Sequence, residues 1–398
     1  MIARDQLHGL REQITKEQVG RIRDEFERQG IAVRTVSGED GAAYTYAADQ
    51  ILVREDSVSR VRDFLGTVVT PDAPVEVIPG VRLVTFGPQR PGQPTPPVLE
   101  LVHRIRQAIG PVAGPNHLLT VAPETGPCPA TEAEEVDFDI EPFPAVRTED
   151  DGSDGSGARI YVADTGLLAD ASSYSWLSGV EGAPDPLDPQ PGDLIQPYCG
   201  HGEFVAACIR CMAPKAYVYV SNVFKTAGSA LESDLIRDLA AALDQGFDIF
   251  NLSITTPSRG QLDMIGFEAW RELLRRHPGV VCVVAAGNDG MQAEFWPAAF
   301  PEMVSVGALA ADWRSRASFS NYGGWVKVYA PGRDLVNAYA TGIYECQDAP
   351  YTGQIRRFYG MARWSGTSFA TPPGSRTHRR AKVAARRNRQ GSRRLPPE

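Results

Sequence analysis

The chain has 398 residues, 42% of them hydrophobic and 22% charged, the balance of an ordinary globular protein with room for two domains. A formal net charge of -9 gives no general reason to expect nucleic acid as a partner. No apolar run approaches the roughly 18 residues a membrane helix needs, and Met1–Gln6 lacks a basic stretch followed by an apolar one, so no membrane partner and a cytoplasmic location are expected. The sparse cysteines fit that expectation as reduced, buried residues, Cys282 inside an apolar run.

Residues 1–122 read as a small α/β unit. Ile14–Arg28 has helical spacing, Tyr46–Val53 is strand-like, and Asp56–Leu65 is a short helix opened by an acidic cap. Val81–Phe86 is another strand candidate. Val98–Ile109 is a helix with Val98, Leu101, Val102, Ile105 and Ile109 on one face, and Leu118–Val121 a closing strand. Residues 123–157 are dense in Asp and Glu, with Arg147 as the only base and Pro, Gly and Ser between. That composition predicts a flexible acidic linker.

Over residues 158–373 strands and helices alternate. Ile160–Ala163, Tyr217–Val223, Asp248–Ile254, Val280–Ala286 and Val304–Leu309 are short apolar runs of the kind buried on both faces. Leu231, Leu235, Leu239 and Leu243 share one face of a helix. The pattern predicts an α/β fold, a parallel sheet flanked by helices, with working residues at the carboxyl ends of the strands.

Three polar residues fall at such ends. Asp164 closes Ile160–Ala163, His201 sits among glycines at the start of an apolar helix, and Ser368 lies in the turn Ser365-Gly366-Thr367-Ser368 ahead of a helix. Taken singly, each reads as a turn or cap residue. Together, in the order Asp, His, Ser, they are far more specific than any one of them alone.

The segments around them carry a resemblance. Asp164-Thr165-Gly166, His201-Gly202 and Gly366–Pro372 resemble the three signatures of the subtilisin-like serine proteases, the subtilases. Val281–Gly290, with Ala285-Ala286-Gly287-Asn288, resembles the family's strand that ends in the oxyanion-hole asparagine. Asn251-Leu252-Ser253, Trp296-Pro297-Ala298, Val304–Gly307, Ala317–Ser320 and Ala330-Pro331-Gly332 are lesser matches. The resemblance covers about residues 158–372. It implies a serine endopeptidase acting on protein or peptide substrates, with Ser368 as nucleophile, His201 as base, Asp164 as orienting group and Asn288 as oxyanion donor. It further implies that Ser253 pairs with substrate backbone, that Ala285, Ala286 and Gly287 line the pocket beside the cut, and that residues 1–122 are a propeptide-like unit able to inhibit the enzyme. No cofactor is expected, and no metal, since no acidic cluster has calcium-ligand spacing and no second Cys pair stands at zinc spacing.

The chain also departs from the family. Glu203 and Phe204 replace the residues that usually follow the histidine, and Glu203 is expected to face solvent. Thr255 stands where glycine is common. Cys208 and Cys211, three apart on a helix, read as two buried thiols or, less simply, a redox pair. After Ser368 the resemblance calls for a long buried helix, yet Pro372-Pro373-Gly374 stops one, and residues 374–398 are a basic tail with almost no large apolar side chains. Two readings of the tail stay open: a basic arm that binds nucleic acid or an acidic surface, or the out-of-frame end of a truncated gene. One codon choice for Arg376–Ala381, shifted by a nucleotide, begins Gly-Leu-Ile-Ala-Ala. The alternative function is accordingly an impaired or inactive family member, or a binding protein.

Overall fold

The computed structural model describes residues 20–37, 43–90, 95–121, 132–139, 144, 146, 154–189, 194–224, 226, 228–257, 263–348 and 350–372. The helix expected from Ile14 is described from residue 20, and the tail after residue 372 lies outside the described residues.

The first unit runs α1 (residues 20–28), β1 (Val33–Ser37), β2 (Ala43–Arg54), α2 (Val58–Leu65), β3 (Val69–Pro71), β4 (Val75–Ile78), β5 (Val81–Pro88), α3 (Val98–Ala108) and β6 (Ala113–Thr120). Its helices pack as their spacing predicts: Val98, Leu101, Val102 and Ile105 of α3 join Val61 and Leu65 of α2 over Ile51, Val53 and Val84 of the sheet.

The second unit carries β7 (Arg159–Ala163), β8 (Glu181–Gly182), α4 (His201–Met212), β9 (Tyr217–Ser221), β10 (Ser229–Leu231), α5 (Glu232–Asp244), β11 (Ile249–Leu252), α6 (Ile265–Arg276), β12 (Val281–Ala285), β13 (Val304–Leu309), β14 (Val328–Pro331), β15 (Leu335–Glu345), β16 (Ile355–Trp364) and α7 (residues 367–372). Its main sheet is parallel, in the order β14-β13-β12-β11-β7-β9-β8. Alternation along β7 explains the two layers. Ile160 and Val162 face a core shared with α4, while Tyr161 and Ala163 face one shared with α5 and α6. The α/β architecture is therefore the expected one. Among the described residues, no helix is long and apolar enough to cross a membrane.

Two features position the site. First, the units share a sheet and a core. β10, from the second unit, pairs antiparallel with β6 of the first, and Leu52, Val77 and Leu119 pack with Leu235, Phe267 and Trp270. The join holds polar anchors: His117 Nδ1 lies 2.9 Å from Glu232 Oε2 with both side chains fully buried, Asn116 and Ser233 exchange two hydrogen bonds, and Arg54 pairs with Glu268.

Second, β15 and β16 form a long antiparallel hairpin that leads directly into α7. Here the segment read as a flexible linker contains a docked stretch. Glu134 bridges Arg363 of β16, and Glu132 is buried against the hairpin. Further on, Asp154 accepts from Lys215 at 2.8 Å and from Ser156 N at 3.0 Å. Composition hides this order because the partners of these acids lie elsewhere in the chain, Arg363 standing 229 residues from Glu134.

Candidate active site

Asp164 follows the last residue of β7, at its carboxyl end. The chain turns away at Gly166, whose φ of 105° and whose contact with the Ala183 carbonyl leave no room for a Cβ. His201 opens α4 behind Gly200, itself left-handed at φ 71°. The two side chains meet: His201 Nδ1 lies 2.6 Å from Asp164 Oδ1, with Asp164 fully buried and His201 nearly so. A carboxylate at Nδ1 makes that nitrogen the donor and leaves Nε2 as the basic one. Thr165 N also donates to Asp164 Oδ1, at 2.9 Å.

Ser368 is the second residue of α7. The aromatic group around it fixes the histidine: the Phe369 ring lies 5.2 Å and the Trp364 ring 5.4 Å from the imidazole, and Phe204 packs on both. Phe204 thus fills a core position beside the ring. Among the described residues, no hydrogen bond joins Ser368 to His201; Phe369, the next residue in the chain, packs its ring against the imidazole.

Asn288 lies beyond the end of β12, after Gly287 with φ 96°. Its Oδ1 accepts from Thr367 N at 2.8 Å and from Thr367 Oγ1 at 2.9 Å, and the same hydroxyl accepts from Gly287 N at 3.1 Å. With the oxygen held, the amide nitrogen is the group left to donate. Ala285 closes β12, and Ala286 N bonds Val306 O, so the small residues Ala285, Ala286 and Gly287 form a strand end next to Asn288. Ser253 follows β11, its hydroxyl accepting from Asn251 at 3.3 Å. Thr255, two residues on, exchanges backbone hydrogen bonds with Thr120 of the first unit, and Val121 N donates to Gly228 O.

Three supporting residues escaped the sequence reading. Asn321 knits the Asn288 loop: it donates to Ala286 O and accepts from Asp289 N and Met291 N. The Ala317–Ser320 match pointed near it. Asp185 accepts from Thr165 Oγ1 at 3.1 Å and Gly200 N at 2.8 Å, linking the turns that carry Asp164 and His201. Burial raises its carboxyl to about 6. Nothing in its local sequence marks it. Thr367, within the Gly-Thr-Ser turn, is the anchor of Asn288.

Glu203 corrects an expectation. It is fully buried, not solvent-facing, and Oε2 accepts from Leu168 N at 3.2 Å while Oε1 has no partner. Burial first, then the nearby Asp170, push its carboxyl up to about 8, so it sits in the core as a neutral acid. Cys208 and Cys211 are free and buried, with Asn337 Nδ2 at 3.7 and 3.9 Å, and burial raises both thiols. Among the described residues, no group of His, Cys, Asp and Glu could hold a metal ion.

The chain is similar to proteins already known. A family model described as the subtilase family matches residues 155–377. The alkaline protease of Alkalihalobacillus alcalophilus is 30% identical over 254 residues, covering 61% of this chain and 58% of the relative. Subtilisin Savinase of Lederbergia lenta is 29% identical over 252 residues, 60% of this chain and 81% of the relative. Thermitase of Thermoactinomyces vulgaris is 30% identical over 239 residues, 56% and 74% respectively. The solved structure of the prenylagaramide maturation protease PagA is 24% identical, covers 55% of this chain and 72% of that one, and has a TM-score of 0.41. The chain thus spans 58% of the length of the first of these relatives. A family match that runs over more than half of the 398 residues settles the question of kinship: the chain belongs to the subtilase family.

Proposed function

We propose that this chain is a serine endopeptidase that hydrolyses peptide bonds in protein or peptide substrates through an acyl-enzyme. The observation that carries the reading is the 2.6 Å contact of Asp164 with His201 Nδ1, beside a serine turn whose Thr367 fixes Asn288. Ser368 Oγ attacks the scissile carbonyl carbon while His201 Nε2 takes its proton. Asp164 keeps the imidazole oriented and stabilises it when charged. The Asn288 amide and the Ser368 N–H receive the oxyanion. As the tetrahedral species collapses, His201 returns the proton to the leaving amine. Water then repeats the sequence on the ester. Ser253 and its neighbours would pair with the substrate backbone as an added strand. Ala285, Ala286 and Gly287 would line the adjoining pocket.

The same reading makes residues 1–122 an intramolecular inhibitor. Thr120 pairs with Thr255 and Val121 with Gly228, so the first unit ends on the edge next to Ser253 that a substrate strand would use. A fluorophosphonate probe tests the assignment. It should label Ser368 in the parent and nothing in Ser368→Ala, and turnover should fall by about a million-fold, the cost of nucleophile removal in subtilisin. Unchanged turnover in Ser368→Ala would sink the reading.

A further inference from the structure

The short docked stretch Glu132–Glu135 makes more contacts than a spacer needs. Glu134 N donates to Arg363 O at 2.8 Å, and Arg363 N donates back to Glu134 O at 2.9 Å. The side chains repeat the pairing, Arg363 Nη2 and Nε reaching Glu134 Oε2 at 2.8 and 3.1 Å. Arg356 Nη1 donates to Ala133 O at 2.6 Å, and Arg357 N to Glu135 Oε1 at 2.6 Å. Glu132 accepts from Tyr344 Oη at 2.7 Å and Gln347 N at 2.6 Å. The stretch therefore touches β16 on both sides of Gly360, where the strand bends at φ 83°, and reaches β15 and the residues that follow it.

A hairpin of two strands is marginal by itself. The far edge of this one is closed by Leu194, which bridges Ile343; the near edge is closed by Glu134. The near edge matters more for chemistry. Arg363 is followed by Trp364, whose ring packs on His201, Phe204, Tyr339 and Phe369. Ser365 Oγ accepts from Asp334 N, Gly366 N bonds Gly332 O, and Thr367 and Ser368 come next. Any freedom gained at Arg363 passes along a few bonds to the nucleophile, and a nucleophile must be held to within about 0.5 Å.

We propose that Glu132–Glu135 is a built-in strap that, by pairing with β16, holds the Ser365–Ser368 turn in place. Glu134 and Arg363 act as positioning residues through Trp364. The strap follows Val121 in the chain, so it is separate from the stretch that covers the substrate edge. Its effect on catalysis rests on the peptidase reading; its effect on the turn does not.

The test uses the full chain, Glu134→Arg, and the swap Glu134→Arg with Arg363→Glu, which restores the ion pair. Two readouts are taken: hydrogen exchange of backbone amides over residues 363–371, and the rate of fluorophosphonate labelling at Ser368. Glu134→Arg should speed exchange of the Trp364–Ala370 amides by about tenfold and slow labelling similarly, as expected for loss of one net charge-assisted contact. The swap should restore both. Exchange changes confined to the strap and Arg363, or a swap that restores nothing, would overturn the proposal. If the parent takes no label, the peptidase reading fails, and exchange still decides the strap. Glu134→Gln, which keeps the backbone pair, serves the same test with an intermediate effect if Glu134→Arg does not fold.

Discussion

Thr367 holds the side chain of Asn288 by its oxygen, with its own N–H at 2.8 Å and its hydroxyl at 2.9 Å. The residue before the serine thus fixes the Asn288 amide, the proposed oxyanion donor. Thr367→Val keeps the shape and the N–H contact but removes the hydroxyl. It loses the hydroxyl's two hydrogen bonds, to Asn288 Oδ1 and from Gly287 N, and should lower kcat by roughly tenfold or more, with KM little changed. Asn288→Ala should cost about 100–1,000-fold in kcat. In the Asn288→Ala background, Thr367→Val should cost much less than it does in the parent, since only the Gly287 N contact is then lost. Additive losses in steady-state kinetics would show that Thr367 acts some other way.

Glu203 gives a stability prediction. The native state keeps its proton up to about pH 8, whereas an unfolded glutamate loses it near the ordinary value of 4.5. Folding therefore binds a proton between these limits, and stability falls as pH rises from about 4.5 to about 8. Glu203→Gln is neutral throughout and keeps an acceptor for Leu168 N. Melting curves should show the parent losing several degrees more than Glu203→Gln between pH 5 and pH 8.5. Parallel curves would mean that Glu203 is already ionised in the fold.

Occupation of Thr255 by Thr120 predicts inhibition in trans. A separately produced fragment of residues 1–122 should bind the catalytic part and suppress peptide turnover. Weakening the join should relieve it: Arg54→Ala, which loses the pairs with Glu268 and Glu272, should raise the inhibition constant several-fold. Full turnover at saturating fragment would reject the inhibitor role.

How much of this was legible in the sequence depended on distance. The strands of the parallel sheet announced themselves because both faces are buried, leaving unbroken runs such as Val304–Leu309. Asp164, His201 and Ser368 were legible as candidates because each sits in a local motif at a strand or helix end, and the structure joins the first two. The hairpin was not, since β16 opens Ile355-Arg356-Arg357, carries Gly360 and Arg363, and so lacks the unbroken apolar run of the other strands. Nor were Asp185 and Glu134, whose roles depend on partners remote in the chain. Glu203 misled for a related reason: a carboxyl group reads as a surface charge until burial neutralises it.

The pairing of β10 with β6 bears on how freely the two halves could be exchanged. Ser229–Leu231 belongs by chain position to the half that carries Ser368, yet it completes the sheet of the other half. The first half is thus not freely interchangeable with that of a relative. A replacement taken from a relative would have to offer a last strand in register with Ser229, Ala230 and Leu231, and a buried imidazole facing Glu232. Without them, the recipient would be left with an open strand edge and a stranded acid in its interior. Compatibility between the halves is written in these few residues, and they are where chimeras of this protein would first succeed or fail.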